Sequence, residues 1–84
     1  MAMNPADEVR DYAYREYILP ARAAGNLSVT FTAGPIHIAL GFQNLIARVC
    51  DALDVYKFET DRGIQLVTRT GPKHGATATF TFSV

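Results

Sequence analysis

Residues 32–53 read TAGPIHIALGFQNLIARVCDAL, and the fold turns on how this stretch is read. Gly34 and Pro35 suit the opening of a helix, because proline has a helical φ and no N–H to leave unbonded in the first turn. Ile36, Ala39 and Leu40 then share one stripe until Gly41 stops it, which gives a helix of about two turns. Phe42, Gln43 and Asn44 form a tight connection. From about Asn44 to Leu53 a further helix carries Ile46, Val49, Cys50 and Leu53 at helical spacing, and its opposite face carries Asn44, Ala47, Arg48 and Asp51. Two short helices around a glycine turn each offer one apolar stripe, and the flanking sequence must supply the surface that covers them.

Upstream, the Asn4 side chain can cap a helix, Pro5 fits its first position, and Asp7 and Glu8 complement the positive end of its dipole. Val9, Tyr12, Ala13 and Tyr17 make its core stripe; Pro20 is expected to end or kink it, and Gly25 with Asn26 to close it. Residues 27–32, LSVTFT, alternate as a short edge strand with Leu27, Val29 and Phe31 inward. Downstream, Val55, Tyr56 and Phe58 suggest a helical extension that Gly63 breaks. Residues 64–69 read as a strand and residues 70–75, TGPKHG, as a loop. Residues 76–84 read as a strand with Ala76, Ala78, Phe80, Phe82 and Val84 on one face and Thr77, Thr79, Thr81 and Ser83 on the other. The loop is longer than a two-residue turn and is expected to project from the sheet.

The chain thus reads as one α+β domain over residues 1–84, three helices plus a small antiparallel sheet in the order α-β-α-α-β-β. That order, with residues 32–53 at its centre, resembles a winged helix-turn-helix domain along nearly the whole chain. The resemblance implies that the helix after the turn lies in the major groove of double-stranded DNA, the preceding helix crosses the backbone, and the hairpin loop is a wing on phosphate. It implies base-edge contacts from Gln43, Asn44, Ala47 and Arg48, since Arg pairs with guanine and Asn or Gln with adenine. The wing contacts would come from Arg69, Thr70, Lys73 and His74, and a transcriptional or accessory role is the expectation that follows.

Charge bears on this directly. The chain holds eight basic and eight acidic residues and has a formal net charge of zero, unlike the basic excess of most nucleic-acid binders. All eight acids precede Arg62, however, and residues 62–84 carry Arg62, Arg69, Lys73 and His74 with no acid. Along the chain, the neutral total conceals a basic hairpin that phosphates would attract through counterion release.

The remaining composition narrows the alternatives. At 84 residues the chain buries roughly 60–65% of its unfolded surface, enough for one small core. The single Cys50 cannot form an internal disulfide, and no Cys/His cluster has zinc-ligand spacing. Cys50 falls on an apolar stripe as a small buried hydrophobe, and His37, between Ile36 and Ile38, reads either as a surface residue near the backbone-contacting end or, the favoured reading, as a hydrogen-bonded packing residue. Residues 26–47 lack charge but are too interrupted by polar residues to span a bilayer, and the N-terminus has no secretory pattern, so a cytoplasmic setting is expected. Asp7, Glu8, Asp11 and Glu16 alternate with Arg10 and Arg15 as on a solvated helix, and no phosphate loop precedes a helix. No enzyme, metal, cofactor or small-molecule substrate is therefore expected. Tyr14 and Ile18, four apart and across from Val9 and Ala13, suggest a second apolar face and a homodimer seam. A second reading, of a different class, is a protein-interaction module that uses the same fold as a subunit or inhibitor.

Overall fold

In the computed structural model, which describes residues 3–84, Asn4 opens the first helix as its residue type predicts. Its side-chain oxygen accepts from the Asp7 N–H at 2.8 Å. Helix α1 (Pro5–Ala13) runs without a break through a π turn (Tyr14–Ile18) into α2 (Leu19–Ala23), so Pro20 does not end it. A proline inside a helix meets the carbonyl four residues earlier, here that of Glu16. Widening the preceding turn, where the Leu19 N–H bonds the Tyr14 carbonyl five residues back, makes room at that point. Gly25, at φ 77°, then closes the rod.

The π turn corrects one expectation. Inserting a residue sets the following turns back by about 100°, which swings Ile18 from the far side of the rod onto the core, where it is fully buried. Tyr14 is half-buried, with the Arg62 guanidinium 4.6 Å from its ring centroid and that of Arg22 at 5.9 Å. The second apolar face expected from Tyr14 and Ile18 therefore does not form.

Strand β1 (Ser28–Thr32) leads directly into α3 (Ala33–Ala39). A turn in which Gly41 and Asn44 both have positive φ connects α3 to α4 (Ile46–Asp54). Residues 55–63 are not an extension of α4: extended backbone at Val55 separates α4 from a distinct helix, α5 (Tyr56–Arg62), which Gly63 ends in the left-handed conformation. The described residues form an α+β fold with four helical bodies, where three were expected, and a three-stranded antiparallel sheet.

Strands β2 (Gln65–Thr70) and β3 (Thr79–Ser83) pair as a hairpin, and β1 adds to the other side of β3, giving the order β1-β3-β2. Register places Val29, Phe82 and Leu66 in one row and Phe31, Phe80 and Arg69 in the next, all on the helix-facing side. The core is largely aromatic there. Phe31 stacks on Tyr17 at 4.7 Å between centroids, and Phe58 meets Phe82 edge-on at 5.4 Å. Val9, Ala13, Ile36, Val49, Cys50 and Leu53 supply the helical side of the same cluster. Leu27, expected inward, lies just before β1 and is 87% exposed.

Candidate nucleic-acid interface

Helix α4 divides along its length as the spacing predicts. Val49, Cys50, Ala52 and Leu53 are buried, while Ala47, Arg48 and Asp51 stay in solvent. The expected recognition residues split between two backbone contexts. Ala47 and Arg48 lie in the first turn of α4, whereas Gln43 and Asn44 precede the helix in the exposed turn. Asn44 takes φ 55°, a left-handed conformation that asparagine tolerates better than most residues and that excludes it from the helix. His37 locks this turn from below: its Nε2 accepts from the Leu45 N–H at 3.1 Å and its ring meets Phe42 edge-on. The packing role expected of His37 thus has a specific object, the chain entering α4.

The loop between β2 and β3 does not project. Residues 71–78 fold back over the start of α3 and the C-terminal half of α4, held at several points. The Ala33 and Gly34 N–H groups, at the opening of α3, donate to the carbonyls of Ala78 and Ala76 at 3.0 and 2.9 Å. The Cys50 thiol lies 3.6 Å from the Gly75 carbonyl, and His74 Nε2 lies 2.8 Å from Asp51 Oδ1. Gly71 is required where the loop turns: at φ 84°, a Cβ there would stand 2.8 Å from the Thr77 carbonyl oxygen.

Arg69 organises this loop from inside. Its Nε faces Asp54 Oδ2 at 3.2 Å, one terminal nitrogen donates to the Pro72 carbonyl at 2.8 Å and the other to the Lys73 carbonyl at 2.6 Å. Its guanidinium also lies 5.0 Å from the Phe80 ring centroid. Arg69 was expected to meet phosphate as part of a wing, but its donors are spent on the loop's own backbone and on α4. The basic hairpin is likewise dissolved by folding. Asp51 and Asp54 of α4 stand against His74 and Arg69, and among the described residues Lys73 and Arg62 have no ion-pair partner, Arg62 lying instead over Tyr14. Arg48 on α4 is unpaired in the same sense. Thr70 and Lys73 are exposed, so the surface around α4 presents Gln43, Asn44, Ala47 and Arg48 with Lys73 at its flank and Asp51 within it.

Cys50 sits beneath this surface with zero exposure, and burial pushes its thiol up from its ordinary range, which suits packing rather than nucleophilic attack. Among the described residues no three His, Cys, Asp or Glu side chains gather as metal ligands, and no helix is long and apolar enough to cross a membrane. A shallow cleft of about 310 Å³ lies between α5 and β2, lined by Tyr56, Glu59, Thr60, Gly63, Ile64 and Gln65. The Glu59 carboxylate in it already accepts from the Leu66 N–H at 2.7 Å. No family model matches the chain, and neither a curated protein nor a solved structure is detectably similar to it.

Proposed function

We propose that the protein is a winged-helix module that binds double-stranded DNA through the outer face of α4, with Arg48 and Lys73 as its phosphate or base contacts. One observation carries this reading: the second helix of a helix–turn–helix pair keeps its outer face in solvent while the β2–β3 loop is braced against its flank. Element order supports it as well, with α5 as an insertion between α4 and β2. The arrangement resembles a winged helix whose wing is folded down, so the contact set is smaller than the linear sequence suggests.

With only Arg48 and Lys73 unpaired on this surface, the interaction is weak and salt-sensitive, expected in the micromolar or weaker range of non-specific binding. Titration of a mixed-sequence duplex at rising salt tests it. Arg48→Ala and Lys73→Ala should each weaken binding and flatten the salt dependence by about one unit of logarithmic slope per lost phosphate contact. Absence of binding at low salt removes the reading. Protein docking by the same fold is the second reading, and it is favoured by Ile38, 78% exposed on α3, together with the net charge of zero. Under that reading Ile38→Asp abolishes partner capture and the duplex titration is flat.

A further inference from the structure

The two edges of the sheet are finished differently. On β2 the outward Leu66 N–H is taken by the Glu59 carboxylate, and a bulge at Val67 breaks the row. These are the devices by which proteins keep a strand edge from pairing with another chain. The β1 edge has neither a charge, a proline nor a bulge: it reads SVTFT over Ser28–Thr32.

The ladder fixes which backbone groups that edge presents. The Val84 N–H donates to the Leu27 carbonyl and the Ala33 N–H to the Ala78 carbonyl, both at 3.0 Å. Antiparallel partners alternate between bonded and unbonded pairs. Leu27, Val29, Phe31 and Ala33 therefore turn their backbone groups toward β3, and Ser28, Thr30 and Thr32 turn theirs away from it. We infer that β1 is a self-pairing edge, which joins two copies of this chain into a continuous six-stranded sheet by antiparallel pairing about a two-fold axis at Thr30.

The occupant is a second copy because the strand is complementary to itself in that register. Thr30 faces Thr30 of the second copy as a doubly bonded pair, and Ser28 faces Thr32. Between them Val29 faces Phe31 on the core side, so apolar meets apolar and hydroxyl meets hydroxyl in every row. A Thr–Thr row of this kind already exists one strand over, where the Thr30 and Thr81 hydroxyls are 2.8 Å apart. No like charges oppose each other, because the strand has none. Leu27, 87% exposed in the single chain, falls opposite Ala33 of the second copy at the start of its α3. This seam is separate from the α4 surface and from the Tyr14 and Ile18 seam that folding removes.

A five-residue edge is smaller than the roughly 800 Å² per partner of a standard interface, so self-association should be weak, with half-dimerisation between about 10 μM and 1 mM. Sedimentation equilibrium from 5 μM to 2 mM should show the 9.2 kDa chain approaching twice its mass. Thr30→Pro should remove the association at least tenfold while circular dichroism and melting stay near those of the parent, since the Thr30 N–H serves no bond within the single chain. A variant that needs no proline tests the register itself. In a bonded pair the two Cα atoms stand about 5.5 Å apart, within disulfide range. Thr30→Cys should therefore cross-link under mild oxidation at least tenfold faster than Thr68→Cys, which lies on the same sheet face but about 24 Å from its copy across five strand spacings. A monomer throughout the concentration range, equal cross-linking rates, or a dimer that Thr30→Pro leaves intact overturns the inference.

Discussion

Replacing Arg69 with alanine separates a structural anchor from a wing residue, because the two roles predict opposite outcomes in stability and in DNA binding. Its side chain is 18% exposed and makes two short bonds to loop carbonyls, at 2.8 and 2.6 Å. Each such bond is worth about 1–1.5 kcal/mol net. The cation–π contact with Phe80 adds about 0.5–1 kcal/mol, and the partly exposed pair with Asp54 adds no more than about 1 kcal/mol. Water reaching the freed carbonyls returns part of this, which leaves an expected loss of about 2–3 kcal/mol. In a domain of this size that lowers Tm by about 10–20 °C. Urea unfolding of Arg69→Ala should show a reduced midpoint at unchanged slope, and amide exchange should accelerate over residues 71–78. Arg69→Lys should recover little of the loss, since an ammonium keeps the charge but not the planar fork that reaches several acceptors. A change below about 0.5 kcal/mol, together with a clear loss of duplex binding, would rule out the anchor role and return Arg69 to the wing.

Three further outcomes follow from the same geometry. Ile18→Ala should cost about 2–5 kcal/mol by urea unfolding, as for other buried isoleucine truncations, whereas a residue on a free second face would cost under about 0.5 kcal/mol. Gly71→Ala combines a left-handed backbone with a collision against Thr77 and should destabilise by about 2 kcal/mol or more; Gly25→Ala, left-handed but facing open space, should lose about 1 kcal/mol, and equal losses would argue against the packed loop. Burial raises both the Cys50 thiol and the Tyr17 phenol above their unfolded values, so the folded state holds these protons longer. Stability is then complete below the unfolded thiol value of about 8.5 and falls as pH rises through the folded one, with the tyrosine contribution following above about pH 10. Melting curves from pH 7 to 11 should lose the first part of that decline in Cys50→Ala, and parallel profiles for the two proteins would count against it.

Local rules carried the reading of the helices as far as local rules reach. The Asn4 cap, the stripe of Val49, Cys50 and Leu53, the stop at Gly63 and the alternation of β1 and β3 each depend on neighbours within a turn or a pair of residues. The separation of α5 from α4 was less legible. It rests on one extended residue, Val55, which no glycine or proline marks. Gln43 and Asn44 have the polar character of a helix face, yet the positive φ of Asn44 puts them in the turn.

The α+β class, the aromatic core strands and the solvent face of α4 follow from residue order alone, because side-chain period and turn residues act over short distances. The rest depends on contacts between residues far apart in the chain. A π turn ahead of Pro20 moved Ile18 into the core, since one inserted residue rotates everything beyond it. Packing the β2–β3 loop on α4 set Arg69 and His74 beside Asp54 and Asp51, residues 15 and 23 positions away. Charge segregation along a chain is not a field in space. Coulomb attraction acts on distance after folding, and here it sets Arg69 of the acid-free end against Asp54 of α4, while Arg48 and Lys73 have no ion-pair partner among the described residues.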